Sequence, residues 1–176
     1  MSNTTRDTAL VTGASRGIGR AILERLVEDG LHVVNLDIAT PVALHAHETF
    51  IQVDMADEAA LRAALAQATQ GRAITRLVNN AGIVRPAGID TATSADLQAV
   101  MALNVAASIA CVQAVLPAMR SARFGRIVNI SSRAALGKGE RIAYAASKAA
   151  LHGLTRTLAL ELAADARDTG LDEPED

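Results

Sequence analysis

Apolar residues in this chain fall into two kinds of run, and the two kinds alternate. Short runs rich in β-branched residues predict strands: "TALVT" at 8–12, "HVVNLD" at 32–37, "FIQVD" at 50–54, "TRLVNN" at 75–80 and "GRIVNI" at 125–130. Between them the apolar positions recur at helical spacing. "GIGRAILERLVEDG" (17–30) predicts a helix stopped by Gly30, and "DEAALRAALAQATQG" (57–71) one stopped by Gly71. Thr93 or Ser94 can cap a long helix to about Met119, with Asp96 placed early for the helix dipole. A last helix is expected from about Tyr144 to Ala164.

Strands alternating with helices imply right-handed crossovers and a parallel sheet covered on both faces. Strands that are apolar throughout, rather than at every second position, agree with burial on both sides. The expected fold is therefore α/β, a Rossmann-like doubly wound parallel sheet in three α/β/α layers. Ligands of such a sheet bind beyond the C-terminal ends of its strands. With no repeat and no Pro/Gly/Ser linker, residues 1–164 are expected to form one domain. The end of the chain, from 165 to 176, has four acidic residues among its last six and no strand period, and is expected to be a disordered tail.

Composition narrows the classes. Half of the 176 residues are hydrophobic, yet Phe50, Phe124 and Tyr144 are the whole aromatic set, so the core must be aliphatic and alanine-rich. A net charge of −2 leaves no basic face for nucleic acid. Cys111 stands alone in an apolar run, which excludes a disulfide scaffold and predicts a buried small hydrophobe. No metal-ligating set is expected. The stretch from Leu97 to Met119 has no charged residue and is long enough to span a bilayer. It also holds Gln98, Asn104, Ser108, Gln113 and Pro117, which fits a helix buried between protein surfaces better than a membrane span. The N-terminus has no apolar stretch of signal-peptide length, so a cytoplasmic protein is expected.

Candidate chemistry sits where the fold puts ligands. "TGASRGIG" (12–19) lies between the first strand and first helix. There Gly13 permits a tight turn, Gly17 lets a pyrophosphate approach the backbone, and Gly19 lets helix and sheet pack closely. The helix N-terminus offers free N–H groups to phosphates. Asp37 closes the second strand, where a carboxylate accepts the ribose hydroxyls of adenosine and repels a 2′-phosphate. Arg16 argues for the 2′-phosphate, but Ile38 follows Asp37 where a second basic residue would serve NADP. Asp54 and Met55 end the third strand and can flank an adenine, or Asp54 can cap the next helix in solvent. "NNAG" (79–82) ends the fourth strand, with Gly82 leaving room beside a ligand. Asn104 is a poor helix former in mid-helix.

Together these segments resemble the short-chain dehydrogenase/reductase family (SDR). The resemblance rests on Thr12-Gly13-Ala14-Ser15-Arg16-Gly17-Ile18-Gly19, Asn79-Asn80-Ala81-Gly82, Asn104, Ser132 after "NIS", and Tyr144-Ala145-Ala146-Ser147-Lys148. It covers residues 6 to about 163. It implies an NAD(P)-dependent oxidoreductase acting on a secondary alcohol or ketone, with NAD the expected cofactor and NADP the alternative. Cofactor contacts are implied for Gly13, Ser15, Arg16, Gly17, Ile18, Gly19, Asp37, Asp54, Met55, Asn80, Ala81, Gly82, Tyr144 and Lys148. The implied catalytic set is Asn104, Ser132, Tyr144 and Lys148: Tyr144 as acid–base, Ser132 holding the substrate oxygen, and Asn104 placing a water that links Lys148 to solvent. Ser131 is the alternative serine, and the family pattern favours Ser132.

The spacing of Tyr144 and Lys148, i and i+4, suits this role because it places them on one helix face. A free tyrosine has a pKa of about 10, and bringing it near 7 requires roughly 4 kcal/mol. One ammonium at about 4 Å in an effective dielectric near 20 supplies roughly that amount. After "LHGLTRTLALELA" the family pattern calls for a sixth strand, a Pro-Gly turn, a substrate-covering segment and a seventh strand; here the chain reads "ADARDTGLDEPED". A second reading is therefore a nucleotide-binding or interaction module with little or no turnover. The resemblance also implies a homodimer paired through the two long helices; separately, without a sixth strand "GRIVNI" is left as an unpaired edge where further association is expected.

Overall fold

The computed structural model of the protein describes residues 7–167. Five parallel strands form one sheet in the order β3-β2-β1-β4-β5: β1 (Thr8–Thr12), β2 (His32–Asp37), β3 (Glu48–Gln52), β4 (Ile74–Asn79) and β5 (Arg126–Asn129). The helices are α1 (Gly17–Glu28), α2 (Glu58–Thr69), α3 (Ser94–Met101), α4 (Ala107–Ala122) and α5 (Ile142–Arg167). The strand order steps outward from β1 in both directions, so the sheet is doubly wound, with its switch point between β1 and β4.

Alternate strand residues feed two cores. Ala9, Val11, Val33 and Val78 pack with Leu23 of α1 on one face. Leu10, Val34, Leu36 and Leu77 pack on the other with Leu61 and Leu65 of α2 and Cys111, Val112 and Val115 of α4. The uncharged stretch is thus a core helix that lays Val100, Cys111, Val115 and Met119 on the protein. It is also the one described helix long and apolar enough to cross a membrane. Burial pushes the Cys111 thiol up to about 12, which leaves it an inert hydrophobe.

Several boundaries differ from the sequence expectation, each for a local reason. β3 runs over Glu48–Gln52 rather than 50–54, because Glu48 is anchored by side-chain bonds and Asp54 already turns the chain by accepting from the Ala56 N–H at 2.9 Å. The long helix is interrupted by a wide π-turn over Ala102–Ala106 and ends at Arg123 in the left-handed conformation, φ 49°. α5 reaches Arg167, so residues 165–167 are helical and not part of a disordered tail. The rest of that expected tail, 168–176, lies outside the described residues. Beside the outer edge of β5 lies a groove of about 310 Å³ lined by Leu116, Met119, Phe124, Ile127, Leu158 and Leu162 among others.

Candidate active site

The C-terminal ends of β1, β2 and β4 meet at the glycine-rich turn. Gly13 and Gly17 sit at φ 67° and 60°, the left-handed region that favours glycine. A Cβ on Gly19 would lie 2.2 Å from the Gly13 carbonyl oxygen and 2.5 Å from Asn80 Nδ2, so close approach of helix to turn requires glycine there. Asn80 fastens the turn to β4: its Nδ2 donates to the Thr12 and Gly13 carbonyls, both at 3.0 Å. Thr12 Oγ1 returns the tie, accepting from the Asn80 and Ala81 N–H groups at 3.0 Å. Gly17 has open space around it, Arg16 and Ile18 are exposed, and Ser15 is buried.

Asp37 is nearly buried at the end of β2. Its Oδ2 accepts from the Ser15 N–H at 2.9 Å and its Oδ1 from the Ala39 N–H at 3.0 Å. Each oxygen keeps a lone pair for a further donor. Asp54 is exposed in its own turn, whereas Met55 is buried against Leu61 and Ile51 in the core. The Met55 side chain thus packs into the core at the end of β3.

Around the catalytic candidates the bonds run through Asn104. Its Oδ1 accepts from the Ile83 N–H at 2.8 Å, and its Nδ2 donates to the Ile83 carbonyl at 3.1 Å and to Ser147 Oγ at 3.0 Å. The side chain is thereby locked between the segment after β4 and α5, and the π-turn brings it there. Gly82 passes beside it, where a Cβ would lie 3.1 Å from Asn104 Oδ1 and 3.6 Å from Lys148 Nζ.

Lys148 is 4% exposed, and its Nζ donates to the Ile130 carbonyl at 2.6 Å. The ammonium lies 5.7 Å from the centre of the Tyr144 ring. Burial lowers the Lys148 pKa from the ordinary lysine value. Tyr144 stands half-buried one turn before it.

The two serines separate cleanly. Ser131 Oγ donates to the Lys148 carbonyl at 3.0 Å and lies 2.8 Å from His152 Nε2, so its hydroxyl is committed to structure. Ser132 Oγ accepts from the Ala134 N–H at 3.1 Å at the head of a short 3₁₀ turn (Arg133–Leu136) that packs against α5. That leaves its proton free to donate. Ser132 also lines a cavity of about 360 Å³ with Arg133, Ala134, Gly137 and Lys138.

Thr12 and Ser147 hold the candidate site residues in place, and pattern reasoning did not single them out. Ser147 donates to the Tyr144 carbonyl at 2.8 Å while receiving Asn104, and so joins the two. The signal for both was a small polar residue on an otherwise apolar buried face.

Comparison with known proteins accords with this arrangement: the short chain dehydrogenase family matches residues 7–166. The chain belongs to that family. It is 37% identical to the oxidoreductase UcpA of Salmonella typhimurium, over 93% of this chain and 66% of UcpA. It is 38% identical to the rhamnolipids biosynthesis 3-oxoacyl-[acyl-carrier-protein] reductase of Pseudomonas aeruginosa, over 88% of this chain and 66% of that protein. The chain thus spans just under two thirds of these relatives. Among solved structures, 4-hydroxyisoleucine dehydrogenase complexed with NADH superposes with a TM-score of 0.83 at 27% identity, covering 91% of this chain and 69% of that one. A 3-oxoacyl (acyl-carrier-protein) reductase from Agrobacterium tumefaciens with NADP bound gives 0.83 at 32% identity, covering 92% and 67%.

Proposed function

We propose that this short-chain dehydrogenase binds NAD(H) across the ends of β1, β2 and β4 and interconverts a secondary alcohol and a ketone. The observation that carries the reading is the buried Lys148, held by the Ile130 carbonyl one helical turn from Tyr144. Among the described residues no carboxylate forms an ion pair with this cation, which stands 5.7 Å from the centre of the Tyr144 ring.

The residues present fit a dinucleotide. Gly19 lets α1 start hard against the turn, Gly17 leaves the approach to the turn open, and Asp37 is held with lone pairs toward the same turn. The N–H groups at the start of α1 suit the pyrophosphate, and Asp37 the adenosine ribose. A bound nicotinamide supplies the hydride acceptor or donor. For the chain's own part, Ser132 donates its free proton to the substrate oxygen, and Tyr144 takes the alcohol proton in oxidation or returns it in reduction. Lys148 holds the tyrosinate, and Asn104 with Ser147 keeps Tyr144 and Lys148 in register.

Asp37 favours NAD(H), whereas the exposed Arg16 is the one group of the turn suited to a 2′-phosphate. Titration with NADH and NADPH, followed by cofactor fluorescence, tests the reading: NADH binds more tightly. Equal affinity for the two removes Asp37 from its role, and binding of neither removes the cofactor site. We place the protein in the cytoplasm as a homodimer through α4 and α5, where Ile109 and Leu160 are exposed. Sedimentation giving a monodisperse monomer at micromolar concentration overturns the dimer.

A further inference from the structure

Beneath the glycine-rich turn lies a polar cluster that the site described above leaves unused. Asn35, in the middle of β2, is 0% exposed between apolar Val34 and Leu36. Its Oδ1 accepts from the Ala14 N–H at 3.2 Å, and its Nδ2 donates to Ser15 Oγ at 3.3 Å and Glu48 Oε1 at 3.0 Å. Glu48, whose side chain is fully buried, accepts through Oε2 from Arg20 Nη1 at 2.8 Å and from the His45 N–H at 3.1 Å. Arg20 continues to Glu24 at 3.1 Å and to the Ala43 carbonyl at 2.9 Å. One run of bonds thus ties α1, β3 and the β2–β3 loop to residues 14 and 15 of the turn.

Stability alone is a poor reason for this cluster. A buried ion pair repays little more than its own desolvation, and a well-packed apolar substitute is often as stable. What the cluster supplies is direction. An amide has a donor side and an acceptor side, while a carboxylate only accepts. Glu48 therefore fixes Asn35 with Nδ2 toward it and Oδ1 toward the Ala14 N–H. The reversed amide would set oxygen against carboxylate on one side and N–H against N–H on the other. Ala14 is held in turn, and the adjoining Ser15 N–H holds Asp37.

We propose that Asn35 and Glu48 are positioning residues for the adenosine half of the dinucleotide. Through Ala14 and Ser15 they set the turn and the Asp37 carboxylate as one unit, so that both meet the ligand together. The inference rests on the cofactor reading above, and the two fail differently.

The test titrates NADH and ADP-ribose, the latter lacking the nicotinamide, into the unaltered protein and into Asn35→Ala and Glu48→Gln. Melting of the ligand-free proteins is measured alongside. Losing one buried hydrogen bond to the turn should raise the Kd of Asn35→Ala for NADH about tenfold, and Glu48→Gln should raise it about threefold. ADP-ribose should weaken by the same factors, because the loss lies in the half that it shares. The paired Arg20→Met/Glu48→Gln variant removes both charges together and carries the same test where a single change does not fold. If the variants melt earlier but bind both ligands with unchanged Kd, the cluster is structural only and the proposal is wrong. If NADH weakens while ADP-ribose does not, the positioning is not of the adenosine half. If the unaltered protein binds neither ligand, the cofactor reading itself falls and this inference with it.

Discussion

Replacing Gly19 by alanine sets two effects of opposite sign against each other. Gly19 lies in the first turn of α1, where alanine is the better helix former by about 1 kcal/mol. Against this, the new Cβ would lie 2.2 Å from the Gly13 carbonyl oxygen and 2.5 Å from Asn80 Nδ2. Neither neighbour moves freely, because Asn80 Nδ2 itself holds that carbonyl and the Thr12 carbonyl at 3.0 Å. Relief means separating α1 from the turn, at about 1–3 kcal/mol for overpacking, and losing at least one of the Asn80 bonds, about 1 kcal/mol more. The clash wins, with a net loss of about 2 kcal/mol, and for a protein of this size the melting temperature should fall by roughly 4–8 °C. Thermal unfolding of ligand-free Gly19→Ala beside the parent reads this directly. A variant as stable as the parent, or more so, would show that the turn yields and that the Asn80 clamp is not rigid. NADH affinity should fall as well, since the same shift moves the N–H groups of the turn.

Asp37→Ala should narrow or invert the preference for NADH over NADPH, measured as the ratio of the two Kd values; an unchanged ratio assigns discrimination elsewhere. Lys148→Met tests the buried ammonium through pH. The folded-state pKa of Lys148 is lowered, so the unfolded chain binds the extra proton, and stability rises with pH between that lowered value and the ordinary lysine value of 10.5. Denaturant midpoints of the parent should therefore gain on those of Lys148→Met as pH climbs through that window; parallel curves contradict the burial argument.

The sheet was legible in the sequence because its strands are apolar on both faces, and β1, β2 and β4 came out within a residue of expectation. β3 slid by two residues because its start is fixed by Glu48, whose partners Arg20 and Asn35 lie on other elements. A strand propensity does not register such a bond. The π-turn was hidden for the same reason: Asn104 answers to Ile83 and Ser147, both distant along the chain. The conformations of Gly13 and Gly17, the place of Asp37 at the end of β2 and the Tyr144–Lys148 juxtaposition were readable because they depend on local spacing. The role of Ser131 was not, since it depends on the Lys148 carbonyl and His152 across the fold.

The central claim is that Tyr144 moves the proton. Tyr144→Phe keeps the ring and removes only the ionisable oxygen, so it isolates that claim from packing and from cofactor binding. Oxidation and reduction should be followed at the nicotinamide absorbance over a panel of secondary alcohols and ketones, with NADH affinity measured on the same preparations. The account predicts that the parent turns over at least one pair, and that Tyr144→Phe binds NADH as the parent does while its rate falls by about 100-fold or more. Near-normal turnover by Tyr144→Phe would contradict it, as would a parent that binds NADH and turns over no alcohol or ketone.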